Sequence, residues 1–314
     1  VGEPAAAGRV LVTGGAGFIG RRLTARLVNS GARVRVLDDL STGDASRLHP
    51  EAELRIGSIL DPGALAEAVN GVDAVYHLAA IASVAKCNED IAASHQVNLG
   101  GFVSLIETVL RQPLRPALVF ASSAAVYGDT PDIPLGEDSA TAPLSPYGAD
   151  KLGCELHARA AARVYGLKST GLRLFNIYGP GQDPGSPYSG VISRFARLAR
   201  DGAEITIFGD GGQTRDFVFV DDVVDALMAA AGRTNGDLFE ALNVCTGQET
   251  SILELARRLA GIHGATPRIL HEAERPGDIR RSLGSPQRLA GVLGLTPSGD
   301  LDSGLRRLLS ETDA

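Results

Sequence analysis

The chain has 314 residues, of which 44% are hydrophobic and 21% charged, enough for a packed globule of one large or two modest domains. Its 30 basic and 37 acidic residues give a net charge of −7, which argues against nonspecific binding to nucleic acid or to an anionic membrane. Three scattered cysteines, Cys87, Cys154 and Cys245, fit a reduced, cytoplasmic compartment, and neither they nor the six histidines form a metal-ligand spacing.

In chain order, Val1 to Gly8 is short and Ala-rich and gives no targeting signal, and no run of about 18 apolar residues comes after it that would span a membrane. Arg9–Thr13 reads as a buried strand. The turn Thr13-Gly14-Gly15-Ala16-Gly17-Phe18-Ile19-Gly20 leads into a helix expected from Phe18 to Ser30, with Gly31 as its stop. A second strand, Arg33–Leu37, ends in Asp38-Asp39. A third short strand covers Glu53–Ile56. Asp61 is placed to cap a helix opening at Pro62 and running to Asn70. Ala74–Leu78 is a fourth strand, residues 92–111 a helix, and Ala117–Ala121 a fifth strand. Ser145-Pro146 opens a helix running to Tyr165, and Ser169–Phe175 is a further strand. This alternation predicts parallel strands joined by crossover helices, a doubly wound α/β fold of Rossmann type.

After Asn176 the pattern loosens. Residues 179–190 hold four glycines and three prolines and read as a loop, which suggests a second, smaller α/β lobe facing a substrate. Phe217–Val220 is expected to be a strand returning to the first domain, and Ser251–Gly261 a helix. The predicted division is 8–175 plus about 217–246 for the dinucleotide-binding domain, and about 176–216 plus 247–314 for the smaller lobe.

Two constellations carry chemistry. Gly14, Gly17 and Gly20 succeed a strand and open a helix, so a pyrophosphate can approach the helix N-terminal amides closely. Asp38, at the end of the second strand, can accept from both adenosine ribose hydroxyls and would repel a 2′-phosphate, which favours NAD over NADP. Arg33 and Arg35 lie within the strand and are not read as 2′-phosphate ligands. Tyr147 and Lys151 are four apart on one helix face. A phenol titrates near pH ~10, and a neighbouring cation favours its ionised form, so the pair suits general-base work on an alcohol.

These motifs have company: His77-Leu78-Ala79-Ala80, Ala121-Ser122-Ser123-Ala124-Ala125-Val126-Tyr127-Gly128, Arg173-Leu174-Phe175-Asn176-Ile177-Tyr178-Gly179-Pro180, Gly209 to Phe217, and Arg275-Pro276-Gly277-Asp278. In their order, from Val10 to about Leu293, the chain resembles an extended short-chain dehydrogenase/reductase. It is most similar to the nucleotide-sugar (UDP-glucose/UDP-N-acetylglucosamine) 4-epimerases. The resemblance implies NAD as cofactor, a UDP-sugar as substrate and a homodimer paired through the helices of residues 92–111 and 146–165. It implies Ser123, Tyr147 and Lys151 as the catalytic set. It implies cofactor contacts from Gly14, Gly17, Phe18, Ile19, Asp38, Ser58, Ile59, Leu78, Ala79, Ala80 and Asn98, with Tyr147 and Lys151. Substrate contacts are implied for Ser83, Ser123, Asn176, Val191, Phe208, Arg215, Arg275, Asp278 and Ser282.

The residues just after Ser123 narrow the reaction. Dehydratases and decarboxylases of this family usually carry an acid just before Val-Tyr-Gly, where this chain has Ala124 and Ala125. That favours epimerisation over dehydration or decarboxylation; a dehydratase, decarboxylase or uronate 4-epimerase of the same family is the alternative, and the intact triad opposes an inert NAD-binding regulator. Ser282 stands where a bulky Tyr restricts family members to glucose and galactose, so the resemblance favours N-acetylated sugars; Gln182-Asp183-Pro184, Tyr188 and Val191-Ile192 point the same way. Two departures are Ser58, where the family usually has an Asp for the adenine amino group, and Ala85-Lys86-Cys87, where Pro-Arg-Ser is more usual.

Overall fold

The computed structural model describes residues 8–182, 190–233, 236–262, 268–274 and 279–312. The first half alternates strictly: β1 (Arg9–Thr13), α1 (Phe18–Asn29), β2 (Arg33–Asp38), β3 (Glu53–Ile56), α2 (Pro62–Val69), β4 (Ala74–His77), α3 (Val84–Glu89), α4 (Ile91–His95), α5 (Gly101–Leu110), β5 (Ala117–Ser123), α6 (Pro146–Tyr165) and β6 (Ser169–Leu174). Then come β7 (Asn176–Tyr178), α7 (Val191–Arg200), β8 (Ile205–Phe208), β9 (Thr214–Phe219), α8 (Val220–Ala231), β10 (Phe239–Val244) and β11 (Glu249–Ser251). The chain closes with α9 (Ile252–Ile262), β12 (Ile269–Glu272), β13 (Arg281–Ser282), α10 (Gln287–Leu293) and α11 (Leu301–Thr312).

Seven parallel strands form the large sheet in the order β10-β6-β5-β4-β1-β2-β3. Successive residues point to opposite faces of a strand, so both faces must be covered. Val12, Val36, Val119 and Leu172 pack with Leu23 and Leu27 of α1 and Leu227 of α8. Leu11, Leu37, Leu118 and Phe120 pack on the other face with Leu65 of α2, Phe102 of α5 and Ala158 of α6. This is the doubly wound Rossmann-type fold. Each fully buried Leu or Phe contributes about 1.5–3 kcal/mol.

The strand expected at Phe217–Val220 forms, but it does not return to the large sheet. As β9 it sits in a four-stranded sheet with β7, β11 and β13. The elements that come back are α8, tied to α1 through Arg22–Asp221 (2.8 Å), and β10, which pairs with β6. An apolar run carries no label saying which sheet it joins. A third core, with Phe195, Ile207, Phe217, Phe219, Leu255 and Leu305, lies beneath this smaller sheet, and β8 pairs with β12 beside it.

Candidate active site

The glycine turn is shaped by close approach. Gly14 has φ +70°, and a Cβ there would stand 2.6 Å from the Ala79 amide nitrogen. Gly20 packs the first turn of α1 against Gly14 and Gly15, with 2.7 Å between an added Cβ and Gly15 Cα. Gly17 caps α1 without a side chain, so no side chain competes for the amides around Phe18 and Ile19. That leaves a helix N-terminus suited to an anion.

Asp38 ends β2, 7% exposed, its carboxylate accepting from the Ala16 amide (2.9 Å) and the Leu40 amide (2.9 Å). Leu40 adopts φ 58°, a left-handed conformation that turns its amide back onto Asp38. Arg35 is buried and donates to the carbonyls of Glu67, Ala68 and Asn70 at the end of α2, so it serves a helix C-terminus. Ser58 accepts from the Leu60 amide at 3.2 Å, and Ile59 is buried beneath the turn. These residues make a glycine-floored crevice with an acid at its rim, which fits a dinucleotide.

At the end of β4, His77 shares a 2.8 Å hydrogen bond with Thr13 Oγ1. Burial, reinforced by the charge of Lys151, pushes its imidazole down to about 3, so it is neutral. Leu78, Ala79 and Ala80 come next, and Ile81 is clamped by Asn98, which accepts from its amide (2.8 Å) and donates to its carbonyl (3.2 Å). Asn98 lies in a wide helical turn, Gln96–Gly100, that joins α4 to α5. Such a turn changes which way side chains face, while the backbone stays helical from Ile91 to Leu110, in line with the single helix expected over residues 92–111.

Helix α6 starts where its caps dictate. Ser145 Oγ accepts from the Gly148 amide at 3.1 Å, Pro146 takes the first position, and Gly166 (φ 69°) ends it. Lys151 is 4% exposed, donates to the Ala121 carbonyl at 2.9 Å, and lies 5.8 Å from the Tyr147 ring centroid. Ser123 ends β5 in register with Leu174 and accepts from the Ala125 amide at 3.1 Å, so its hydroxyl proton is free to be given elsewhere. His95 of α4 meets the buried Asp150 of α6 at 2.8 Å.

Two residues past Leu174 comes Asn176, exposed at the start of β7, where it pairs with Phe217 of β9. Arg215 on β9 donates to the Thr214 (2.8 Å) and Ile279 (2.7 Å) carbonyls and is in register with Ser282 of β13, itself 9% exposed. Phe208 ends β8, its carbonyl held by Gln213 at 2.8 Å. Val191 opens α7. Ser83 caps α3 by accepting from the Lys86 amide. Arg275, Asp278, Asp183, Pro184 and Tyr188 lie outside the described residues.

Several structuring residues give little sign of themselves in the sequence. Glu155, one turn beyond Lys151, is buried with Arg173, Tyr127 and Asn243 in a single network. Its i+4 spacing from Lys151 is the one available signal. Asp216 is fully buried and accepts from the Thr246 amide and hydroxyl and the Gly247 amide; burial pushes its carboxyl above the usual range. Among the described residues no three His, Cys, Asp or Glu gather as a metal site.

A glycine-floored crevice on a parallel sheet, with Ser123 at the end of β5 and Tyr147 and Lys151 on α6, defines an extended short-chain dehydrogenase/reductase. Residues 10–245 match the NAD dependent epimerase/dehydratase family. A UDP-glucose 4-epimerase of Mycolicibacterium smegmatis is 39% identical over 307 residues, 95% of this chain and 96% of that one. The structure of a UDP-N-acetylglucosamine 4-epimerase from Methanobrevibacter ruminantium, in complex with UDP-N-acetylmuramic acid, superposes with a TM-score of 0.93 at 31% identity. It covers 98% of this chain and 99% of that one. That of a UDP-glucose 4-epimerase from Thermotoga maritima with UDP-glucose gives 0.92 at 35% identity, covering 97% and 98%. The chain belongs to the NAD-dependent epimerase/dehydratase family, its cofactor is NAD, and these relatives are UDP-sugar 4-epimerases.

Proposed function

We propose that the protein interconverts UDP-GlcNAc and UDP-GalNAc, and also UDP-Glc and UDP-Gal, by epimerisation at C4. The observation that carries this reading is the placement of Lys151 and Tyr147 on one face of α6 beside the end of β5, where Ser123 is succeeded by Ala124 and Ala125 with no acid. Elimination or decarboxylation calls for further acid/base groups. Epimerisation does not.

In this reading Ser123 orients the sugar 4-hydroxyl and Tyr147 Oη takes its proton. Bound NAD supplies a hydride acceptor and donor at C4, so that a 4-keto sugar forms transiently. Lys151, its ammonium 5.8 Å from the Tyr147 ring centroid, would hold the nicotinamide ribose. The keto sugar turns about its diphosphate, and Tyr147 returns the proton to the opposite epimer. The crevice around Gly14, Gly17 and Asp38 would hold the diphosphate and adenosine ribose. Asn176, Arg215 and Arg275 would take the substrate diphosphate, Phe208 the uracil and Asp278 its ribose. The small, buried Ser282 beside Arg215 supports room for an N-acetyl group. The division of labour we assign is NAD on the seven-stranded sheet and UDP on the lobe around β7, β8, β9 and β13. A homodimer is part of the same proposal, supported by Ile91, Val103, Leu156 and Val164, exposed on α4, α5 and α6.

The test is proton NMR of the purified protein with UDP-GlcNAc or UDP-Glc and no added NAD. C4 epimers should appear with both, faster with UDP-GlcNAc. Tyr147→Phe should lower turnover by about 10²–10⁴-fold while UDP still binds. Turnover near wild type in that variant would sink the assignment.

A further inference from the structure

Two consecutive residues of β5, just before Ser123, are engaged by α6. The Ala121 carbonyl accepts from Lys151 at 2.9 Å, Ser122 Oγ donates to Glu155 Oε1 at 2.5 Å, and Ser123 stands next at the strand end. Glu155 is held from the far side by Arg173 of β6, whose Nε and Nη2 reach its two carboxylate oxygens at 2.9 and 2.7 Å. The remaining fork of Arg173 donates to Tyr127 Oη (2.8 Å) and the Glu137 carbonyl (3.0 Å), and Tyr127 donates to Asn243 of β10 at 2.7 Å. The side chains of Arg173 and Glu155 are 4% and 2% exposed.

A buried ion pair is a poor way to stabilise a fold, because apolar residues of equal volume usually do as well or better. What a bidentate pair provides is direction. The residues of α6 that share a core with Leu118 and Phe120 of β5 are small, Cys154, Ala158 and Ala161, and offer little resistance to sliding along the strand. One residue of slip moves the helix about 1.5 Å. Lys151 is a single flexible point of attachment, whereas Glu155, shared between Ser122 and the Arg173 fork, allows one position.

We propose that Glu155 and Arg173 are positioning residues that set the register of α6 on β5, and so the placement of Tyr147 against Ser123. Part of the test rests on the epimerase reading, and part does not. The holoenzyme carrying Glu155→Met with Arg173→Met replaces the pair by apolar side chains. Hydrogen exchange of the α6 amides between Ala149 and Glu155 should quicken by about tenfold while the melting temperature stays within a few degrees of wild type. The kcat for the sugar that wild type epimerises should fall about 10–100-fold, the scale expected of a ~1 Å misplacement, with KM within about twofold. Arg173→Lys, which keeps the charge and loses the fork, should show the same pattern in milder form.

Unchanged exchange in α6 would overturn the proposal, as would a kcat within about twofold of wild type. A melting temperature that collapses in both variants would assign the pair to holding the fold, and would overturn it too. Wild-type protein inert toward both sugars would sink the epimerase reading, and the exchange measurement would still decide this one.

Discussion

Gly20→Ala and Gly291→Ala are the same chemical change with opposite expected signs. At Gly20 the new methyl would lie 2.7 Å from Gly15 Cα and 3.0 Å from the Gly14 carbonyl carbon, with the Gly14 oxygen nearer still. Carbon atoms rest about 3.5–4.0 Å apart, so the shortfall is about 1 Å. The clashing atoms are backbone and cannot rotate aside, so α1 must move off the turn. Overpacking of this kind costs about 1–3 kcal/mol, and the upper end applies where nothing can give. Gly291 lies inside α10 with nothing within 4 Å of an added Cβ, so alanine there should gain up to ~1 kcal/mol of helix propensity. Urea unfolding of both variants measures the pair. The Gly20 variant should also retain less NAD, read by absorbance after denaturing the purified protein, because the displaced turn is the floor of the crevice. A Gly20 variant within about 0.5 kcal/mol of wild type and with full NAD content would refute the close-packing argument.

Two further expectations concern protons. Burial, with the charges of Asp225 and Asp221, pushes Asp222 up to about 6. A raised carboxyl contributes stability below its unfolded value, and that stability is lost as pH rises through about 6. Asp222→Asn keeps an acceptor for the Ser298 amide and should stabilise by about 1 kcal/mol at about pH 7.5, after allowance for solvent screening, with no gain at about pH 4; an equal gain at both would exclude the mechanism. His77 runs the other way: its folded value is depressed to about 3, so its contribution is complete above about pH 6.5 and is lost as pH falls toward 3. Urea melts of wild type and His77→Gln should converge by about 1.4 kcal/mol per pH unit over that range, and parallel curves would exclude it.

The first half of the fold is legible in the sequence because its signals are local. Asp61 before Pro62, Ser145 before Pro146 and Gly166 after Tyr165 each declare a helix end through backbone chemistry close in sequence. The glycine turn and Asp38 are legible for the same reason. What stays hidden depends on partners far away. Phe217–Phe219 reads as a buried strand whichever sheet receives it. Nothing in the sequence pairs Glu155 with Arg173, 18 residues apart, until the fold places them in one interior. The wide turn at Asn98 leaves no mark in hydrophobic spacing. Ser83 and Ser58 are engaged in local turns, which their residue type allows as readily as contact with a ligand.

The late return of the chain to the large sheet has a consequence for how the protein is made. Strand β6 gains its outer neighbour only at β10, and α1 gains its partner α8 through Arg22 and Asp221, 199 residues apart in sequence. Until about residue 231 has been synthesised one face of α1 has no cover, and until about residue 244 β6 is an open edge. Non-local closure of this kind slows folding and leaves an edge that can recruit another chain. Truncation after β6, a natural cut if the cofactor domain were contiguous, would therefore yield an aggregating fragment. A smaller cofactor-binding protein should instead splice out the segment between β7 and α8 and keep the last strand.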